Sequence, residues 1–200
     1  MRLTIRLQEG ILLFLVLGIT VSGWAGEPMD QIKQTTDAIL SIVSDPALKV
    51  SSKAEERRRR IRNAVDQRFD WEEMAQRALA RHWVQRTGEE KKEFVHLFGD
   101  LLERTYMDKI EGYSGEKVQY EGDTLEGDYA VVRVKIITKK NVDIPVEYRL
   151  QKKGDNWLVY DVSIEGVSLV NNYRTQFNSI IVGSSYADLV KRLKAKAAEK

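Results

Sequence analysis

Residues 157–177 of this chain read WLVYDVSIEGVSLVNNYRTQF, and this stretch decides the predicted fold. Its first half is rich in Trp, Val, Tyr and Ile, which favour a pleated β-strand. Gly166 interrupts the strand. Leu169, Tyr173 and Phe177 then recur at four-residue steps, the spacing of one helical stripe. The strand therefore ends a sheet, and the following helix lays an apolar face back toward it. Such a return encloses either a filled core or a binding cavity.

Alternation of apolar and polar residues predicts four strands in the second half of the chain. They span residues 118–120, 129–138, 144–152 and 157–164. The short connections carry turn signals, including Gly122-Asp123, which predicts antiparallel pairing of consecutive strands. One face of the second and third strands is apolar, so helices should cover that face while the other faces water. The last strand is partly apolar on both faces, and its orientation stays open.

Helical periodicity precedes and follows this sheet. The predicted helices are residues 27–43, a segment opening at Ser52, residues 71–83, 89–110 and 169–181, and a last one opening at Ser185. The patterns Ser52-x-x-Glu55 and Asp70-x-x-Glu73 predict capping boxes. The fold class is therefore α+β, an antiparallel sheet of about four strands with helices packed on one face. Folds of this type commonly leave a cavity between sheet and helices.

The first 25 residues have the pattern of a secretory signal peptide. Arg2 and Arg6 precede an apolar run, and Gly23-Trp24-Ala25 places small residues at the positions before a cleavage site. The apolar run is shorter than the roughly 20 residues that span a bilayer. We therefore expect cleavage after Ala25 and an exported, periplasmic protein, with retention as a membrane anchor as the alternative.

Composition excludes several classes of function. The chain has no cysteine, which rules out thiolate metal sites and thiol nucleophiles. It has two histidines, and His82 has no second ligand three or four residues further along its helix. No phosphate-binding loop, zinc-protease or serine-hydrolase motif is present, so neither a cofactor nor a metal is expected. The net charge of +2 argues against nucleic acid as a partner. A monomer is expected.

Two charged features leave alternatives open. The run Arg57-Arg-Arg-Arg60 is either a solvated helix face or a docking patch for anionic headgroups or an acidic partner. Asp161 lies mid-strand among apolar residues. It could be a general base with a raised pKa, or a structural acceptor for backbone groups, Arg149 or Arg174.

Two stretches carry a resemblance to a known family. One is FDWEEMA at residues 69–75, and the other is the stretch at residues 157–177 with its Tyr-Asp-Val and Gly-Val-Ser elements. Both resemble the MlaC family, the periplasmic phospholipid-binding components of the maintenance-of-lipid-asymmetry pathway, also called toluene-tolerance or ABC-transporter auxiliary proteins. The resemblance extends over about residues 27–193.

This resemblance implies an NTF2-like fold, elaborated with helices around a hydrophobic cavity that holds phospholipid acyl chains. Residues 26–200 would form a single lipid-binding domain. The family carries phospholipid between an outer-membrane lipoprotein–porin complex and an inner-membrane ABC transporter with substrate-binding domains, and it is not enzymatic. The cargo is phospholipid. Face assignment then gives the expected cavity wall: Phe94, Phe98, Leu101, Leu102, Tyr106, Val132, Val134, Ile136, Val146, Tyr148, Leu150, Val162, Ile164, Val167, Leu169, Tyr173 and Phe177.

Two other functions stay open from the residues alone. An isomerase- or dehydratase-type enzyme would need paired polar groups in the cavity, with Asp161 as the candidate base. A structural adaptor would have a filled core and bind partners through its basic helix. Arg174 is a further candidate for either a phosphate contact at the cavity mouth or an ion pair with Asp161 or Glu165.

Overall fold

The computed structural model describes residues 28–198, so the expected signal peptide, residues 1–25, lies outside the described residues. The α+β prediction is confirmed: an antiparallel sheet carries helices on one face. The helices are α1 (Pro28–Ser44), α2 (Ala54–Asp66), α3 (Trp71–Leu79), α4 (Gly88–Glu111), α5 (Leu169–Gly183) and α6 (Tyr186–Ala198). The strands are β1 (Lys117–Glu126), β2 (Tyr129–Ile137), β3 (Asp143–Lys153), β4 (Asn156–Ile164) and the short β5 (Val167–Ser168).

The sheet is a meander in which each strand pairs with the next along the chain, in the order β1-β2-β3-β4-β5. Cross-strand register places Val132 opposite Tyr148, and Val134 opposite Val146. The alternation predicted for these two strands is confirmed, because their apolar faces pack together in one buried cluster. The fifth strand is two residues long and was not predicted.

Gly122 lies inside β1, where the sequence predicts a turn. Its φ of 119° lies in the region open to glycine, and the register with β2 shifts between Tyr120 and Gly122. The Gly-Asp signal therefore marks a β-bulge, and the strand continues to Glu126. The predicted strand 118–120 was too short because a bulge and a turn use the same residue type.

A second bulge explains why the faces of β4 could not be assigned. Arg149 pairs with Asp161, but the next residue of β3, Leu150, pairs with Val159, which leaves Tyr160 as an extra residue. The bulge reverses the alternation, so Trp157 and Val159 before it share an inward face with residues 162 and 164 after it.

Helix starts agree with the sequence at most positions. Thr87 forms the full capping box with Glu90, and the Asp70 side chain accepts a hydrogen bond from the backbone N–H of Glu73. The box predicted at Ser52 is wrong, because a 3-10 turn, Ser51–Lys53, precedes α2. The third helix also ends earlier than predicted, since Ala80 has a φ of 47° and a 3-10 segment, Ala80–Gln85, follows.

The interior formed by residues 28–198 is divided into three apolar clusters. The largest joins α3, α4, α5 and α6, the second lies between the sheet and α1, and a small third cluster joins α1, α2 and the end of α4. Within residues 28–198 no helix has the length and apolar character needed to span a bilayer. The space between these clusters is the candidate site.

Candidate functional site

A cavity of about 580 Å³ lies between the sheet and the helices, and it opens to solvent. Its walls are the apolar face of β2, β3 and β4, the inner faces of α1 and α2, and the second half of α4. The surface of these walls is mostly apolar. Lys109 and Glu165 line the cavity but are themselves exposed, so they lie at its mouth.

The structure brings together about half of the side chains expected in the cavity wall. Those that line the cavity are Leu102, Tyr106, Ile136, Val146, Tyr148, Val162, Ile164 and Leu169. Those that lie elsewhere are Phe94, Phe98, Leu101, Val132, Val134, Leu150, Val167, Tyr173 and Phe177.

The aromatic residues that lie elsewhere form a filled core among α3, α4, α5 and α6. The ring centroids of Phe98 and Phe177 are 5.6 Å apart, and those of Phe98 and Tyr173 are 5.4 Å apart, both in edge-to-face geometry. Phe94 meets Phe177 edge-to-face at 5.6 Å. Such contacts occupy the space that a ligand would need. Leu101 is buried in the same core.

The remaining residues that were expected in the cavity wall but do not line the cavity belong to the sheet. Val132, Val134 and Leu150 are buried in the sheet cluster, which includes Ile32 of α1. Val167 of β5 is 55% exposed, and it directly follows the turn formed by Glu165 and Gly166.

One wall of the cavity was not predicted from the sequence. It comes from α1, α2 and the last turns of α4, and its apolar members are Ile32, Ile39, Leu40, Val43, Ile61, Val65, Met107, Ile110 and Tyr113. The apolar stripe of α1 was visible in the sequence as a helical repeat. Nothing in that repeat says whether the helix covers a core or a cavity.

The polar groups of the wall are adapted to an apolar setting. Burial raises the pKa of Tyr148 to about 12, and burial also raises the pKa of Tyr106. Arg68 donates to the side chain of Gln31, to the Thr35 hydroxyl at 3.1 Å and to the carbonyl of Trp157 at 2.9 Å. Burial lowers the pKa of this guanidinium.

Asp161 is absent from the cavity wall. Its carboxylate accepts hydrogen bonds from the Ser168 hydroxyl at 2.6 Å and from the backbone N–H of Val170 at 3.1 Å. The Ser168 oxygen in turn accepts from the backbone of Asn171, which caps α5. Asp161 therefore fixes the turn from β4 into α5, as the structural interpretation predicted, and a negative charge at a helix start is favourable.

The partners predicted for Arg174 were wrong. Its Nε donates to the carbonyl of Arg77 at 2.9 Å, on the α3 side of α5, and it does not line the cavity. His82 lies nearby, 3.0 Å from the side-chain oxygen of Asn178. Among residues 28–198 no three His, Asp or Glu side chains come close enough to hold a metal ion.

Two of the four arginines of the basic run, Arg57 and Arg58, pair with carboxylates of α4, whereas Arg60 pairs with Glu56 of α2 itself. Arg57 Nε lies 2.7 Å from Glu111, and Arg58 contacts Glu111 at 2.9 Å and Asp108 at 3.0 Å. The hydrogen bond to Glu111 raises the pKa of Arg58. We call this set the ionic seam: Arg57, Arg58 and Arg62 of α2 with Asp100, Glu103, Asp108 and Glu111 of α4.

The matches of this chain to a family model, to a relative and to a solved structure agree with one another. The family model described as MlaC protein matches residues 33–195. The chain is 22% identical, over 86% of its length and 83% of the relative, to the intermembrane phospholipid transport system binding protein MlaC of Haemophilus influenzae. It superposes with a TM-score of 0.77 and 26% identity on a phospholipid-binding protein of Ralstonia solanacearum solved in complex with a phospholipid. That match covers 86% of this chain and 97% of the other.

Proposed function

The chain belongs to the MlaC family, and from that premise we propose that it is a phospholipid carrier that holds acyl chains in its cavity. The observation that carries this proposal is the apolar cavity of about 580 Å³, which is open to solvent. A core built only for stability would be filled, since protein interiors pack as densely as organic crystals. The related Ralstonia solanacearum protein was solved with a phospholipid bound.

The wall chemistry supports acyl chains as the bound group. Burial of a methylene is worth about 0.8 kcal/mol, so two acyl chains with roughly 30 methylenes represent on the order of 24 kcal/mol of transfer from water. A bilayer offers a comparable apolar environment. Exchange between carrier and membrane is therefore close to balanced, and the carrier's role is to shield the chains from water on the way.

We further propose that the protein works in the periplasm after loss of residues 1–25, as a single domain over residues 26–200. It would pass phospholipid between an outer-membrane lipoprotein–porin complex and an inner-membrane ABC transporter with substrate-binding domains. Family membership and the name of the Haemophilus influenzae relative, which places that protein in an intermembrane transport system, support this route.

We also propose that the role is not enzymatic. Asp161, the candidate base, has both carboxylate oxygens engaged with residues at the start of α5 and does not line the cavity. The adaptor alternative required a filled core, and the open cavity speaks against it.

Native mass spectrometry of the freshly purified mature chain tests the proposal. We expect a mass increment equal to phospholipid, which lipid extraction and fragmentation would identify. A homogeneous apo mass, together with no uptake of phospholipid from vesicles, would contradict the carrier function.

A further inference from the structure

The ionic seam borders the cavity directly. Arg62 and Glu103 form an ion pair with each other, and both also line the cavity wall. Arg62 contacts Asp100 at 2.9 Å as well. The side chains that hold α2 against α4 are therefore the side chains that separate the cavity from solvent on this flank.

The two helices have little else between them. Their backbones make few close approaches, whereas α4 packs closely against α3 and α6, and α1 packs against α2 and the sheet. Beneath the ion pairs lies a thin apolar layer that includes Ile61 and Met107, and both of these residues also line the cavity. Separation of α2 from α4 would leave the packed core and the sheet intact.

The other walls are built to stay closed. Each of the strands β1, β2 and β3 is hydrogen-bonded to the next strand along its length. The open edge of β4 is covered by the linker before α3, where the Asp70 N–H donates to the Val159 carbonyl at 2.9 Å. Arg58 and Asp108 on the outer side of the ionic seam are exposed, and exposed ion pairs are weak and screened by salt. We therefore expect the ionic seam to part more easily than the hydrogen-bonded sheet or the packed core.

We propose that the ionic seam is the lateral passage through which acyl chains move into and out of the cavity. This inference rests on the proposed carrier function. When the seam opens, the arginines lose their carboxylate partners, and the phosphate of the passing lipid provides oxygens that Arg58 and Arg62 bind in their place. The acyl chains meanwhile cover the apolar layer of Ile61 and Met107, so the open state exposes little apolar surface to water.

Cross-linking tests the passage. Because the chain has no native cysteine, only the introduced cysteines react with the cross-linker. In one variant Arg58→Cys and Asp108→Cys are joined by a short bismaleimide across the seam, after the protein has been loaded with phospholipid. The matched control joins Glu93→Cys to Lys194→Cys, which replace an ion pair of 2.6 Å between α4 and α6, away from the cavity.

We expect the seam cross-link to slow release of fluorescent phospholipid to phosphatidylcholine vesicles by about tenfold or more, about 1.4 kcal/mol in the barrier. The control cross-link should leave the release rate unchanged. Equal release rates in the two cross-linked proteins would overturn the passage while leaving the carrier function standing. Absence of phospholipid from the unmodified chain would instead refute the carrier function.

Salt provides a second readout on the unmodified protein. Between 0.1 M and 1 M salt the Debye length falls from about 10 Å to about 3 Å, which weakens the seam. Release should accelerate over this range, and the Arg58→Gln variant should release faster at low salt and respond less to added salt. A salt response as large in Arg58→Gln as in the unmodified chain would contradict the proposal.

Discussion

The two halves of α4 meet different neighbours, and the contrast between them explains the architecture. Phe94 and Phe98 in the first half pack against aromatic rings of α5 in a filled core. Tyr106 and Ile110 in the second half face the cavity. One apolar stripe thus serves two purposes along a single helix. The difference lies in what stands opposite: aromatic rings fill the first space, whereas the sheet leaves the second space open.

Truncation of a side chain to alanine should give the largest difference in stability between the two regions. Phe98→Ala removes a fully buried ring from the filled core, and we expect a loss of about 3–5 kcal/mol in the free energy of unfolding. Tyr106→Ala, made in the cavity wall, should cost less, because its side chain has fewer packed neighbours to lose. Urea unfolding of the lipid-free protein measures both. Equal costs would show that the cavity is as tightly packed as the core.

Overfilling should give the next largest contrast. Val132→Trp inserts a large ring into a site that is fully buried in the sheet cluster, at a cost of about 1–3 kcal/mol. Val146→Trp lies on the same sheet face but lines the cavity, so its ring can enter open space.

Native mass spectrometry and urea unfolding together read out this pair. Val146→Trp should keep most of its stability and bind less phospholipid, whereas Val132→Trp should lose stability and keep the lipid once folded. A Val146→Trp protein that unfolds and a Val132→Trp protein that loses lipid would reverse the assignment of the two positions.

Inward-facing residues could be predicted from the sequence, but the place of the cavity could not. Leu101 and Leu102 are adjacent and equally apolar, yet Leu101 lies in the filled core and only Leu102 lines the cavity. Helical periodicity identifies the buried stripe of a helix. It gives no information about the volume of the side chains that other elements place opposite that stripe.

The inward face of β4 could not be assigned from the alternation of apolar and polar residues, for a different reason. The bulge at Tyr160 reverses the inward face, and the strand has no glycine or proline there to mark it. By contrast, the sequence suggested the structural role of Asp161, because a carboxylate in the middle of a strand among apolar residues needs hydrogen-bond donors. The donors it uses, Ser168 and the Val170 N–H, follow from the turn itself.

Alkaline titration compares the regions through two tyrosines. Burial raises the pKa of Tyr148 in the cavity wall and of Tyr186 in the filled core, each to about 12 from an ordinary value of 10. The unfolded chain loses these protons first, so stability should fall as the pH rises from about 10 toward 12. Urea unfolding across this range, with Tyr148→Phe and Tyr186→Phe, measures each contribution.

Bound lipid should distinguish the two tyrosines. Phospholipid in the cavity would exclude water from Tyr148. Its ionisation, taken as the difference in ultraviolet absorbance between the unmodified chain and Tyr148→Phe, should therefore move to still higher pH on loading. Tyr186, taken as the difference between the unmodified chain and Tyr186→Phe, should titrate at the same pH with and without lipid. A shift in Tyr186 alone would place the lipid in the packed half.

The smallest stability effects, and the clearest functional contrast, are expected at two surface ion pairs. Arg58→Gln weakens the ionic seam, and Lys194→Gln removes the pair with Glu93 between α4 and α6. Exposed ion pairs contribute about 0–1 kcal/mol, so urea unfolding should show similar small losses in the two variants. Lipid exchange should nevertheless accelerate only in Arg58→Gln. Two charges that contribute similarly to folding would then differ in function, because only Arg58 belongs to the ionic seam that borders the cavity.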